Sequence, residues 1–393
     1  MRLILFRYRY LILIIILFYY LNQVFSYTNI STCGVYPSGD YRINTTIIQN
    51  QTPCLYFGED DVDINCQDNF IYGNGTGVGI DFYYVSNISI YNCNIGNFST
   101  GVRARNTQYS KFYNLVISNN SGSGFFYESR NNQLNNITLT SNSINGIYLL
   151  FQGQNTTINN LTVKNSQKGI FQNQATGVNY SNILAQNNSI VGLDLANGAS
   201  NSIVNTYTSV NNLRAISLSS GSNNNFLSNM EIIVGNLNGI RLSSSSNNIF
   251  TNTIIQDSTS SGILFYSDSN NNTFYDNVII NNSADLVFDL PGGIGAQNNT
   301  FYNNILGNVS NYNIDPSFNF SNNYFTFLGQ GNEYVDNSSF INNCIIFSQT
   351  IFCDDFQKLY VAPTNTLGTS STFPSHGFLS ILIIFISILF YFS

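Results

Sequence analysis

Few side chains in this 393-residue chain could perform chemistry, because only 8% of its residues are charged. Asp81 and Arg103 are the nearest approach to a catalytic pair. A polysaccharide lyase would use carboxylates to hold calcium and an Arg or Lys as base, but a second acidic ligand is missing here. A glycosidase would need two carboxylates about 5–9.5 Å apart, and no such pair stands out. Both residues stay catalytic candidates, against the simpler interpretation of a structural ion pair.

Ligands for a metal or a redox group are scarce. The single histidine is His376, near the C-terminus, and the two methionines are Met1 and Met230. The six cysteines form no CxxC motif and lie beside no histidine, which a zinc site would need. The sequence therefore predicts neither a metal site nor a cofactor.

Three aromatic residues at equivalent places in successive repeats are the best candidates for binding: Phe126, Tyr148 and Phe171. Aromatic faces stack on sugar rings and on protein surfaces, and an exposed apolar stripe on a soluble protein usually marks a contact. The alternative is that a loop or the C-terminal segment packs over the three rings.

These candidates are positioned by a repeat. A small residue, an apolar residue, any residue and a second apolar residue recur ten times at steps of 22 to 24 residues. A period of this size is typical of a solenoid. The apolar residues alternate as in a β-strand, and the abundant Asn, Ser, Thr and Gly disfavour helices. The repeats open at Gly79, Gly101, Gly124, Gly146, Gly169, Gly192, Ala215, Gly239, Gly262 and Asp285.

Asparagine recurs four residues before the small residue in seven of the ten repeats. In stacked turns, amides can hydrogen-bond from coil to coil as a ladder, and Asn also tolerates the left-handed backbone of tight turns. A looser Asn column falls ten residues before the small residue, so each coil has at least two polar corners. The predicted inward ladder consists of Asn97, Asn120, Asn142, Asn165, Asn188, Asn211 and Asn281.

The cysteines lie at the two ends of the repeat region, where terminal coils have one neighbour and most need cross-links. Cys66 and Cys93 end similar strands in successive coils, about one strand spacing apart, which suits a disulfide. Cys33 with Cys54, and Cys344 with Cys353, would then close the two caps.

The chain resembles right-handed parallel β-helix proteins with pectate-lyase-like repeats, in particular NosD-type and related archaeal cell-surface proteins. The resemblance rests on the Asn ladder, on strands such as Gly239-Ile240-Arg241-Leu242, and on the cysteine-bearing segment from Cys33 to Cys93. It implies an all-β fold, a single-stranded right-handed parallel β-helix (solenoid) of about ten to twelve coils. This architecture hosts lyases, hydrolases, epimerases and adhesins, so the fold does not settle the function.

The two ends of the chain predict its compartment. Residues 1–26 have the basic start and apolar run of a signal peptide, with an uncleaved anchor as the alternative. Residues 378–393 are apolar and fit a membrane or lipid anchor. Between them we predict an N-terminal cap at 27–61, the β-helix at 62–345, and a C-terminal cap with a polar linker at 346–377.

The net charge of the chain limits the classes of partner that it could bind. A net charge of −7 and a pI near 4.5 exclude a nucleic-acid partner, which would require a basic surface. We therefore expect an extracellular protein held at the cell surface by its C-terminal segment, structural or adhesive, that contacts a glycan or another protein. A polysaccharide lyase or glycoside hydrolase is the alternative function.

Overall fold

The structure, a computed structural model, describes residues 27–151, 153–233, 237–289 and 296–309, and five short strands between 319 and 353. Every regular element in these ranges is a β-strand, and the chain winds into a parallel β-solenoid of about eleven turns. This confirms the predicted fold and coil number. None of the described residues belongs to a helix long and apolar enough to cross a membrane.

Each full coil contributes to three sheets. In the first sheet, the strands pair in parallel with the equivalent strand of the next coil, so that Phe125 pairs with Ile147 and Ile147 with Ile170. The strands of this first sheet are Gly34–Tyr36, Leu55–Phe57, Val78–Tyr83, Thr100–Gln108, Ser123–Arg130, Asn145–Leu149, Lys168–Asn173, Val191–Ala196, Arg214–Ser219, Asn238–Ser243, Ser261–Tyr266 and Ala284–Asp289.

The second and third sheets are joined in the middle coils by long strands that bend once. The bend residue has a left-handed backbone, as at Asn114 and Asn136, where φ is 53°. Asparagine tolerates this conformation better than most residues, which explains the looser Asn column in the sequence. The bent strands are Ile88–Gly96, Lys111–Ser118, Gln133–Thr140, Thr157–Lys164, Asn179–Gln186, Ile203–Val210 and Phe226–Ile233.

Shorter strands extend these two sheets at both ends of the solenoid. The second sheet also contains Thr28–Ile30, Gly39–Ile43, Val62–Asn65, Ile249–Thr251, Thr273–Tyr275, Thr300–Tyr302, Asn319–Ser321 and Phe340–Ile341. The third also contains Ile47–Ile48, Phe70–Tyr72, Ile254–Gln256, Val278–Ile280, Ile305–Val309, Tyr324–Leu328 and Cys344–Phe347, the last of which pairs antiparallel with Thr350–Cys353.

The core is built from columns of inward apolar side chains. In the first sheet Ile147, Ile170 and Leu193 are fully buried one above the other. In the second sheet the rings of Phe250 and Phe274 stack with centroids 4.6 Å apart. This is close to the strand spacing of about 4.8 Å, so the coil repeat itself sets the packing distance.

The inward Asn ladder exists, but its membership was predicted only in part. Asn120 is buried and its Nδ2 donates to Asn142 Oδ1 over 2.8 Å. Asn188 makes the same bond to Asn212, and Ser166 stands in the ladder between Asn142 and Asn188. Each amide satisfies backbone groups of the adjacent coil that would otherwise be buried without partners.

The prediction is wrong for Asn97, Asn165, Asn211 and Asn281. All four have left-handed backbones, and the last three are exposed. The inward residue follows each of them directly, because in these coils it lies three positions before the small residue instead of four. Counting back four positions from the small residue therefore selects the turn residue in these coils and misses the inward residue.

The N-terminal residues predicted as a cap are already wound into coils. Leu55 pairs with Ile80 and Phe57 with Phe82 in the first sheet. Cys54 occupies the place of the small residue, so the repeat pattern fails there although the strand continues. The predicted boundary between 61 and 62 is therefore too late, and the solenoid includes the strand Thr28–Ile30.

Two predicted disulfides are confirmed at this end. Cys33 bonds to Cys54 with Cα atoms 4.5 Å apart, and Cys66 bonds to Cys93 with Cα atoms 4.8 Å apart. Each bond joins neighbouring coils. At the other end Cys344 and Cys353 are backbone partners in the antiparallel pair, which leaves their disulfide a prediction. The signal peptide (1–26) and the anchor (378–393) lie outside the described residues.

Candidate binding face

The outward side of the first sheet carries the candidate residues. We use the name binding face for a set of side chains on this outward side, in the coils from Gly79 to Gly262. In each coil they are the residue one position before the small residue and the residues two and four positions after it. The small residue turns inward at the corner: a Cβ on Gly146 would lie 2.2 Å from a methyl of Val163 and 2.5 Å from the Gly169 carbonyl oxygen. Contacts this close exclude any side chain, so glycine fixes the strand start and thereby the direction of its neighbours.

Phe126, Tyr148 and Phe171 lie side by side on this face in consecutive coils. The rings of Phe126 and Tyr148 meet edge to face with centroids 5.4 Å apart, and those of Tyr148 and Phe171 stack at 5.0 Å. Asn173 donates a hydrogen bond to the Tyr148 hydroxyl over 3.2 Å. All three rings are partly exposed, so no described loop covers them completely. We call these three residues the aromatic stripe.

A first charged cluster lies beside the aromatic stripe toward the N-terminus. Arg103 donates from Nε to Asp81 Oδ1 over 2.8 Å and from a second nitrogen to Oδ2 over 2.5 Å. This hydrogen bonding raises the pKa of Arg103. Arg105 also approaches Asp81, at 3.6 Å, and packs over the ring of Tyr83. Glu128 occupies the place equivalent to Arg105 in the next coil, but the two side chains form no ion pair among the described residues.

The predicted catalytic candidates Asp81 and Arg103 are thus together, but as a closed ion pair. The side chain of Asp81 is only 3% exposed, and its oxygens are occupied by guanidinium groups. A carboxylate in this state cannot act freely as a base or as a calcium ligand. The geometry supports the structural interpretation of the pair.

A second charged cluster lies beside the aromatic stripe toward the C-terminus. Lys168 contacts Asp194 Oδ2 at 2.7 Å and also lies 3.5 Å from the centre of the Phe171 ring. Arg214 and Arg241 follow in the next two coils. The pKa of Arg214 is lowered by burial, then by the positive charge of Arg241, while Asp194 raises it. A carboxylate and three cations therefore share one area of the binding face.

Sequence reasoning missed Lys168 and Arg214. Both stand directly before the small residue, one position outside the four-residue pattern that defines the repeat. The signal that could have found them is alternation, because a residue that precedes an inward glycine points away from the core. Most residues in this third column are buried, such as Val191 and Asn238, whereas Lys168 and Arg214 are partly exposed. Within the described ranges, no three His, Cys, Asp or Glu side chains come together as a metal-binding group.

The fold and this face define a parallel β-solenoid protein with an elongated outward surface of aromatic and charged side chains. The sequence profile of the right-handed β-helix region family matches residues 22–190 and 145–308. The chain belongs to this family. No sequence among curated proteins matches it significantly.

The solved structures that resemble this chain include three enzyme structures. The A-modules of the mannuronan C-5 epimerases AlgE4 and AlgE6 of Azotobacter vinelandii are 14% and 15% identical, with TM-scores of 0.50. Those alignments cover 81% and 82% of this chain and 87% and 90% of those modules. The catalytic unit of the GH87 α-1,3-glucanase from Streptomyces thermodiastaticus strain HF3-3 is 12% identical, with a TM-score of 0.51, over 72% of this chain and 63% of that one. At such identities the likeness concerns the fold alone.

Proposed function

We propose that this chain is an extracellular, surface-anchored β-helix protein that contacts glycans through the aromatic stripe, in a structural or adhesive role. The observation that carries the proposal is the contact of three outward, partly exposed rings over consecutive coils. Flat rings repeated at the coil spacing offer a row of stacking surfaces to an extended sugar chain. A protein partner is the other occupant that such a surface fits.

Two further observations support the proposal, one on the location of the protein and one on its ligand. The disulfides Cys33–Cys54 and Cys66–Cys93 are bonds that persist in oxidising compartments. The similar solved structures include enzymes named for polysaccharides, mannuronan and α-1,3-glucan, so a role in contact with sugar chains is compatible with this fold. The predicted signal peptide (1–26) and the predicted C-terminal anchor (378–393) add the surface location to the proposal.

The test is the change Tyr148→Ala at the centre of the aromatic stripe, measured as binding to a panel of polysaccharides. We expect affinity for the bound glycan to fall by about 1–3 kcal/mol, because central aromatic residues dominate contact surfaces. The matched control is Tyr113→Ala. Tyr113 is also partly exposed, and stacks on Tyr91 at 4.7 Å, but it lies on the second sheet. An equal loss in both variants, or unfolding of Tyr148→Ala, would contradict the proposal.

Catalysis on a polysaccharide is the second candidate. Asp194 favours it: this carboxylate is 8% exposed, lies next to Phe171 in register and contacts an ammonium group, the kind of pair that acid–base catalysis uses. Glu128 is three coils away, roughly 14 Å of stack height, too far for a glycosidase pair. If the wild-type chain releases shortened or unsaturated products from a polysaccharide and Asp194→Asn does not, the protein is an enzyme and the adhesive role is wrong.

A further inference from the structure

The binding face has a different charge balance from the chain as a whole. The full chain holds 13 Lys and Arg against 20 Asp and Glu. The three outward columns of the binding face instead carry five cations and three carboxylates. The cations are Arg103, Arg105, Lys168, Arg214 and Arg241, and the carboxylates are Asp81, Glu128 and Asp194. An acidic protein thus has a locally cationic face.

The excess of positive charge is greatest in the second charged cluster. Asp194 is held by Lys168, while Arg214 and Arg241 form no ion pair among the described residues. Arg214 pairs in register with Asn238, and Arg241 with Ser217, so the two guanidinium groups stand on adjacent coils. Burial lowers the pKa of Arg214, and the positive charge of Arg241 lowers it further. A bound anion would relieve the repulsion between the two charges.

Within the part of the chain that the structure describes, four buried polar atoms without partners lie on the binding face, two near the first charged cluster and the aromatic stripe (Arg105 Nε and Asn145 Oδ1) and two in this part of the face. Among the described residues, neither Arg214 Nε nor Asn238 Oδ1 has a hydrogen-bond partner, although both are buried. Asn238 is only 2% exposed. A buried donor or acceptor left unpaired is destabilising, so a ligand that supplies the missing partner would be bound more tightly. The donor suits an anionic oxygen, and the acceptor suits a hydroxyl group.

The aromatic stripe and this cluster are continuous. Phe171 pairs with Asp194, Asp194 with Ser217 and Ser217 with Arg241, so the third ring and the second arginine are three coil steps apart. At about 4.8 Å per coil, that is roughly 14 Å. A sugar chain stacked on the rings and extended along the solenoid axis would pass Arg214 and Arg241 within a few sugar units.

We infer that the glycan is an acidic one, whose carboxylate or sulfate groups are bound by Arg214 and Arg241 while its rings stack on Phe126, Tyr148 and Phe171. The inference rests on the proposed function and adds the chemical class of the ligand. Guanidinium groups bind planar carboxylates and sulfates through paired hydrogen bonds, and partial burial strengthens these bonds.

The test compares four polymers on the full chain: polygalacturonate, its fully methyl-esterified form, dextran sulfate and dextran. Each acidic polymer has an uncharged counterpart with the same sugar backbone. We expect at least one acidic polymer to bind tenfold or more tightly than its counterpart, since a charge-assisted hydrogen bond contributes about 1.5–3 kcal/mol and 1.4 kcal/mol is tenfold. Which acidic polymer binds distinguishes carboxylate from sulfate.

Arg241→Gln should remove that preference, while the control Lys111→Gln should keep it. Lys111 is an exposed cation on the second sheet, so the control makes the same change in charge away from the face. Equal binding of acidic and uncharged polymers would overturn the acidic-glycan inference and leave glycan binding intact. Equal losses in both variants would also overturn it, as non-specific attraction. Binding of none of the four polymers would overturn the acidic-glycan inference, whereas the proposed function is decided separately by the polysaccharide panel used for Tyr148→Ala.

Discussion

The two charged clusters that flank the aromatic stripe contain the same kinds of group in different states. In the first, Asp81 is enclosed by two arginines and its side chain is 3% exposed. In the second, Asp194 has one close cation, Lys168, and two arginines stand nearby without an ion pair among the described residues. A carboxylate whose oxygens are all occupied by cations contributes to stability, whereas cations without a carboxylate partner remain able to bind a ligand. We therefore expect the first cluster to stabilise the fold and the second cluster to take part in ligand binding.

The largest expected effect concerns stability. Asp81→Asn should lower the free energy of unfolding by about 2–3 kcal/mol, because it leaves two guanidinium groups without their buried counter-ion. Asp194→Asn should cost less than about 1 kcal/mol, since the ammonium group of Lys168 can turn toward water. Urea unfolding of both variants measures the contrast. Equal losses of unfolding free energy in the two variants would show that both clusters stabilise the fold to the same extent, which would contradict the contrast between them.

A smaller effect is expected from salt. Raising the ionic strength from 0.1 to 1 M shortens the screening length from about 10 to 3 Å. Affinity for the acidic polymer should therefore fall, while the unfolding free energy difference between wild type and Asp81→Asn should change little, because the buried pair is shielded from ions. Titrations and unfolding curves at both salt concentrations test this. Salt-independent binding would contradict a role for Arg214 and Arg241.

How much the sequence could predict depends on how regularly it repeats. Outward columns such as Phe126, Tyr148 and Phe171 were found because the offset from the glycine to the strand is constant. The inward ladder was misplaced at Asn165 and Asn211 because the turn before the glycine varies by one residue, and the two adjacent positions both favour asparagine. One faces the core and one has a left-handed backbone.

Contacts between columns were harder to predict. The approach of Arg105 to Asp81, and not to Glu128, depends on the bend of a long side chain and on the ring of Tyr83 beside it. The ladder formed by Asn225, Asn248 and Asn272 has the coil period as well. It lies in a turn whose distance from the small residue gave no obvious signal among so many asparagines.

The central claim is that a glycan lies on the aromatic stripe. The chain has no tryptophan, so Tyr148→Trp would introduce a single fluorescent reporter at the centre of the aromatic stripe while keeping a ring for stacking. We expect a fluorescence change on glycan addition that saturates at the same concentration as wild-type binding, and no change for Tyr113→Trp on the second sheet. Undiminished glycan binding with a silent Trp at position 148 would place the glycan elsewhere and contradict the account.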